Sequence, residues 1–182
     1  MKTYSIQFLK TAVVLFALSA TTLFAEKKAA ITHSFLGVGK ANRVVIVGED
    51  GKVQWRFDMP ASDGWVLPNG NVLLALYGTK GFPNGGVAEV DRKTKEIVWS
   101  YKGQQKEIST VQPLGDGKYL VAELGTEPRA IVINRAGKIL KSMVLACQKQ
   151  NAHMQTRMLR MSPNGNSYRY LATKQGAATS LI

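Results

Sequence analysis

Cysteine is almost missing from this chain. Cys147 stands alone among 182 residues, so no internal disulfide can staple the fold. Histidine is nearly as scarce, and His33 and His153 with a single Cys cannot by themselves furnish a tetrahedral zinc site. After residue 25 no apolar run approaches the roughly 20 residues that a spanning helix needs, which excludes a transmembrane helix there. Acidic residues are outnumbered, 12 Asp and Glu against 24 Lys and Arg, for a formal net charge of +12. Such a surplus favours anionic partners. The cations are scattered, however, with no run denser than Lys27-Lys28 or Arg92-Lys93. The aromatic residues are not interleaved with them as a strand-binding groove requires, so nucleic acid is not an expected partner.

What is present at the N-terminus reads as an export signal. Lys2 and Lys10 make a positive leader, Thr11 to Phe24 an apolar core containing VVLFAL, and Ala25 a small residue before Glu26. Residues 1–25 are therefore expected to be a secretory signal peptide, with the mature chain periplasmic or secreted. An uncleaved N-terminal anchor is the alternative. In an oxidising compartment the lone thiol of Cys147 is expected to be buried, since free cysteine packs as a small hydrophobe.

Glycine and charged turns punctuate the rest, and no stretch sustains a helical period. Trp55 and Trp99 lie about 44 residues apart, each closing a segment that reads apolar run, charged turn, Lys, apolar run, Trp. A third copy runs from Ala130 to Met143 without a Trp. Each copy is followed by a second landmark: PNGNVLLA from Pro68, GDGKYLVA from Gly115 and PNGNSYRYLA from Pro163. Within a copy, alternation such as Val53, Trp55, Phe57 against Gln54 and Arg56, next to Asp50-Gly51, signals a hairpin.

These observations predict an all-β chain of β-propeller blades, each of four antiparallel strands. A lead-in over 26–41 precedes three blades across 42–172, at about 42–86, 87–129 and 130–172, and an irregular tail fills 173–182. Gly81 to Gly86 reads as the connection between the first two blades. A two-sheet sandwich is the rival, but it does not require landmarks at constant spacing. Trp55 and Trp99 are expected to wedge between blades, and Trp99→Ala to cost about 3–5 kcal/mol. Propellers usually close with four to eight blades, so three make an incomplete ring. Either open blade edges drive self-association, or the chain is a truncated or frameshifted piece of a longer protein. The loss of alternation after Gly165 favours the second.

The run Glu89-Val90-Asp91-Arg92-Lys93-Thr94-Lys95-Glu96-Ile97-Val98-Trp99 resembles the tryptophan-docking repeat of pyrroloquinoline-quinone-type propellers, matching it at Asp91, Thr94 and Trp99. Glu89 and Lys95 depart from that pattern's small residue and Gly. Asn134 stands where the third unit's Asp belongs, and Val47 where the first unit's does. The PNGN turns are similar to those of bacterial arylsulfotransferase-like propellers. The resemblance implies a blade-stacking device rather than an activity. Family members include quinoprotein dehydrogenases, with a metal and an aspartate base, and pure scaffolds such as an outer-membrane assembly factor. No motif here carries a quinone site, so no cofactor is predicted and pyrroloquinoline quinone is implied by the resemblance alone.

Ligands of propellers meet the loops at one end of the channel. Polar and aromatic residues entering the third strand of each unit are thus the candidate ligand-binding set: Asp63 and Trp65, then Thr110 and Gln112, then His153, Gln155 and Arg157. Arg157 could hold an anionic group bidentately, and Trp65 could stack on a ring. His153 is the one candidate for proton transfer near neutrality, and no complete catalytic or metal set accompanies it. The expected function is an exported noncatalytic binding or scaffold protein for a small anionic ligand, glycan or protein. The alternative is a fragment of an arylsulfotransferase-like or quinoprotein-like enzyme.

Overall fold

The computed structural model describes residues 33–41, 43–147 and 150–165, together with the backbone of Tyr168–Leu171 and Ala178–Leu181. The expected signal peptide, 1–25, lies outside the described residues, as does the lead-in up to Thr32. The described residues form fourteen strands: β1 (Phe35–Gly39), β2 (Arg43–Val47), β3 (Val53–Phe57), β4 (Ala61–Val66), β5 (Val72–Leu76), β6 (Gly86–Val90), β7 (Ile97–Lys102), β8 (Glu107–Gly115), β9 (Lys118–Leu124), β10 (Arg129–Asn134), β11 (Ile139–Val144), β12 (Met158–Met161), β13 (Tyr168–Leu171) and β14 (Ala178–Leu181). One short 3-10 helix, Ala152–Met154, precedes β12. The chain is all-β, as the repeat predicts.

Every pairing is antiparallel, and the strands form four sheets: β1-β2-β3, β4-β5-β6-β7, β8-β9-β10-β11 and β12-β13-β14. Two complete blades are thus flanked by two of three strands. This grouping corrects the partition at 42–86, 87–129 and 130–172, which is out of step with the hydrogen bonding by two strands. Two of the links between sheets are the short stretches 58–60 and 103–106, whereas Gly81 to Gly86 stays within one sheet, in the loop between β5 and β6 and the first residue of β6. Its Phe82 turns inward, only 6% exposed, and Thr79 and Phe82 bond each other's backbone across that loop. The tail expected to be irregular contains β14, and the strand expected from Gln155 begins only at Met158.

Period-two alternation builds the core between sheets. On β5, Val72, Leu74 and Leu76 pack toward the first sheet against Val44, Ile46 and Trp55. The intervening Leu73 and Ala75 pack toward the third, against Ile108, Val111 and Ile131. A further cluster joins Leu120, Ala122 and Val132 to Leu159 of β12. Central strands buried on both faces need a sheet on either side, since burying a Leu or Val contributes about 1.5–3 kcal/mol. Among the described residues no cluster joins the first sheet to the fourth, so the stack remains an open arc.

The tryptophan repeat is a hydrogen-bonded dock. Trp55 on β3 donates its indole N–H to the Arg92 carbonyl of the next sheet at 2.8 Å, and Trp99 on β7 donates to that of Arg135 at 2.7 Å. A bulge recurs beside each, after Ile46, Glu89 and Val132. In that register Lys141 takes the tryptophan's place in the third unit. The two tryptophans are not equivalent in burial. Trp55 is 7% exposed, while Trp99 is half-buried, so the expected cost of Trp99→Ala drops below the range set for a core aromatic.

Asp91 shapes its turn through Oδ1, which accepts the N–H groups of Lys93 and Thr94 at 2.8 Å each. Those bonds, Thr94 first, hold its carboxyl below the ordinary aspartate range. Asn134 closes its turn differently, its Oδ1 accepting from Lys138 N, four residues on, at 3.0 Å. At the turn's end Lys95 has φ 63, where the neighbouring units place Gly51 (φ 74) and Gly137 (φ 76). The left-handed region is unfavourable for a residue with a Cβ. Lys95→Gly is therefore expected to raise stability by up to about 1 kcal/mol, the relief exceeding the entropy added to the unfolded chain. A lower urea midpoint for Lys95→Gly would contradict this.

Candidate functional site

Antiparallel order brings the links 58–60 and 103–106, the turns after β1, β5 and β9 and the segment before β12 to one end of the stack, the loop end. Lys40 follows β1, Tyr77 follows β5, Glu107 opens β8, and His153 sits in the 3-10 helix before β12. Asn151 caps that helix, its Oδ1 accepting from His153 N at 3.0 Å. The cap presents the imidazole to Glu107, whose carboxylate oxygens lie 3.0 and 3.2 Å from Nδ1. Arg157 NH2 lies 2.8 Å from Nε2. Because a guanidinium only donates, the neutral tautomer with its proton on Nδ1 satisfies both contacts. Nδ1 then donates to Glu107, and Nε2 accepts from Arg157. The Tyr77 ring centre lies 6.0 Å from that of the imidazole, and Lys40 Nζ stands 5.8 Å from the Tyr77 ring centre.

The rest of the predicted set serves a second arrangement along the first strands of successive sheets. Trp65 on β4 donates its indole N–H to Val111 O on β8 at 2.6 Å, and Asp63 Oδ2 accepts Val111 N at 3.1 Å. One sheet on, Gln112 brackets Met161 of β12, accepting its N–H at 2.7 Å and donating to its carbonyl at 3.4 Å. Arg160 on β12 reaches back to Asp63 in a bidentate pair at 2.8 and 2.9 Å and lies 5.1 Å from the Trp65 ring centre. Gln155 is buried and grips the backbone of Gly125, accepting its N–H at 2.9 Å and donating to its carbonyl at 2.7 Å. The hydroxyls of Ser109 and Thr110 are buried without a hydrogen-bond partner among the described residues.

The structure thus brings His153 and Arg157 together at the loop end. Asp63, Trp65 and Gln112 spend their polar atoms between sheets, and Gln155 spends its amide on a loop. Cys147 is half-buried, and its thiol donates to Gln155 O at 3.4 Å rather than to His153. Burial pushes that thiol above its ordinary range. Sequence reasoning missed Glu107, Arg160 and the acids buried between sheets, Glu89 and Glu123. Single charges inside apolar strands were the available signal, since Glu and Asp are almost never fully buried unless paired. Glu89 accepts from Asn69, Asn71 and Arg135. Burial works against its charged form, but these bonds prevail and keep its carboxyl below the usual range.

Among the described residues no group of three or more His, Cys, Asp or Glu side chains converges as metal ligands, and the Asp63 carboxylate is bound to Arg160. No helix among the described residues is long and apolar enough to cross a membrane.

No family model matches the chain, and no curated protein matches it. Solved structures do. A Bacteroides caccae protein of unknown function aligns with TM-score 0.60 at 18% identity, over 82% of this chain and 57% of its own. The WD40 β-propeller domain of Doa1 aligns with TM-score 0.57 at 12% identity, over 76% and 43%. Kuenenia stuttgartiensis hydrazine synthase aligns with TM-score 0.56 at 15% identity, over 88% and 48%. The chain spans about half the length of these structures. Identities this low carry the fold alone, and with the sheet order above they establish a β-propeller fold with an incomplete ring.

Proposed function

We propose that this chain is a noncatalytic binding module of an exported propeller protein, and that its loop end recognises an anionic group of a small ligand, glycan or protein. The observation that supports this reading most directly is the state of His153. Both its ring nitrogens are engaged, one by Glu107 and one by Arg157, so it serves as a post that orients the guanidinium. Arg157 is exposed and keeps N–H groups for a carboxylate or sulfate, the geometry at which arginine excels. Lys40 beside Tyr77 adds a second cation. On this reading Asp63, Trp65, Gln112 and Gln155 hold the strands and loops behind the binding surface.

Calorimetric titration of the purified protein with citrate should give a dissociation constant that rises about tenfold, roughly 1.4 kcal/mol, in Arg157→Ala. An unchanged constant would remove Arg157 from the site. Turnover of an aryl sulfate, or of an alcohol with added quinone and calcium, that disappears in His153→Ala would overturn the noncatalytic reading. A second reading, a piece of a propeller enzyme, rests on the chain's spanning only about half of the structures it matches.

A further inference from the structure

We propose that the opposite end of the stack, where the tight turns lie, takes a small aromatic carboxylate in a cavity between the second and third sheets, with Arg135 on its carboxylate. The cavity encloses about 480 Å³, within the range of small-ligand sites. The turns after β4, β8 and β10 form it. His153 and Arg157 lie at the other end of the strands and take no part.

Two residues set this junction apart from the one before it. Where the first sheet stacks on the second, the positions beside the tryptophan dock hold Ile46 and Val72, both in the core. At the next junction the same positions hold Glu89 and Tyr119, as the bulge after Glu89 and the alignment of GDGKY with PNGNV require. A carboxylate inside an apolar array is destabilising unless it is bonded, and such departures from local rules concentrate at functional sites. Here both residues act on one side chain. Glu89 accepts from Arg135 NH1, and the same nitrogen donates to the Tyr119 hydroxyl at 3.0 Å. The Arg135 stem lies against Gly117, where a Cβ would meet its Cγ and Cδ at 3.3 and 3.4 Å, and the guanidinium stands 5.5 Å from the Trp99 ring centre. Arg135 is therefore held before a ligand arrives, which lowers the ordering cost of binding.

The open edge of that guanidinium defines the ligand's head. NH1 is the one guanidinium nitrogen of Arg135 with a hydrogen bond among the described residues, so Nε and NH2 remain to take two carboxylate oxygens side by side. Lys118 lines the same cavity, and its ion pair with Asp116, 3.8 Å long between exposed side chains, holds it weakly. Glu89 is the one acid among the lining residues, and its oxygens already accept from Asn69, Asn71 and Arg135. The walls define the ligand's body. Leu67, Pro68 and Pro113 stand beside Tyr119, apolar surfaces whose C–H groups suit the negative face of an aromatic ring.

Calorimetric titration of the purified protein with naphthoate tests the site. Naphthoate should bind at least about tenfold more tightly than naphthamide, its uncharged counterpart, and than acetate, which has no ring. Arg135→Lys keeps the charge but loses the fork, and should erase most of the preference for naphthoate over the amide. Pro68→Glu leaves the Glu89 pair untouched at an exposed turn position. Its carboxylate, set beside Lys118 and Arg135, should weaken naphthoate binding at least about tenfold. Circular dichroism verifies the fold of each variant, and Pro68→Glu decides alone if Arg135→Lys does not fold. Arg157→Ala should leave the naphthoate constant unchanged. Equal affinity for naphthamide or acetate, unaltered binding in Pro68→Glu, or binding lost in Arg157→Ala would each overturn the proposal. Citrate binding that depends on Arg157, with no binding of naphthoate, would remove this site and leave the loop end standing.

Discussion

Glu123→Ala is expected to destabilise the protein by about 3–5 kcal/mol, the range for removing one partner of a buried charge pair. Glu123 is fully buried on β9. Its Oε1 accepts from Tyr101 OH at 2.8 Å and from Gln104 N at 3.0 Å, and its Oε2 accepts from Arg129. Tyr101 lies on β7, the last strand of the second sheet, Gln104 lies in the link and Arg129 opens β10. One carboxylate therefore satisfies donors from two sheets and the segment between them. Alanine would strand the guanidinium, the phenol and a backbone N–H together. Glu123→Gln keeps acceptor oxygen but loses the charge, and should fall between. Urea unfolding of the three proteins checks the order, and an alanine variant within about 0.5 kcal/mol of the parent would refute the network's role.

The same network sets a response to alkali. Burial, and after it the hydrogen bond to Glu123 and that group's charge, push the Tyr101 phenol above its ordinary range. A raised folded value means that the folded protein retains a proton which the unfolded chain releases above about pH 10. The contribution is fully present below that pH and is lost as pH rises through the folded value. Tyr101→Phe should flatten this part of the stability profile.

Trp55→Ala should cost about 3–5 kcal/mol as well, as large aromatic truncations in cores do. The ring is almost fully buried, stacks on Phe57 at 6.0 Å between centroids and donates to Arg92 O. Its loss would open a cavity between the first two sheets and leave the Arg92 turn undocked. Trp55→Phe should recover most of the packing but forfeit the hydrogen bond, worth about 1 kcal/mol. Trp99→Ala should cost less than Trp55→Ala. Its ring is half-buried, stacked on Tyr119 at 4.7 Å with the Arg135 guanidinium 5.5 Å from its centre, and water can reach the space it vacates. Denaturant midpoints of the two variants decide this, and the reverse order would mean that docking geometry outweighs burial.

Spacing alone exposes the tryptophan docks, because identical stacking requires the same bulky residue at the same point of each unit. It does not reveal where one sheet ends. Both Glu49-Asp50-Gly51 and Pro68-Asn69-Gly70 read as tight turns, and each is followed by a strand. The deciding feature is at Asp58-Met59-Pro60, three residues that join two sheets, while the longer glycine-rich loop after Tyr77 stays within one. Loop length points the wrong way here because Phe82 anchors that loop in the core. At the site, His153 and Arg157 are near in sequence and meet in space. Glu107, which holds His153, is too distant in sequence for any local pattern to pair them. Arg160 is similarly invisible as Asp63's partner, since their meeting depends on how strongly three sheets curve.

That pairing changes how the stack comes apart. In arrays of repeats, stability is approximately a sum of unit terms and nearest-neighbour terms, and end units can fray one at a time. The Asp63–Arg160 pair joins the second sheet directly to the fourth, past the third, whose Val111 N–H also binds Asp63. Opening the fourth sheet therefore leaves a half-buried carboxylate in the second without its cation. The three sheets are thermodynamically coupled into one cooperative unit, and the arc melts as a block from that side instead of peeling blade by blade.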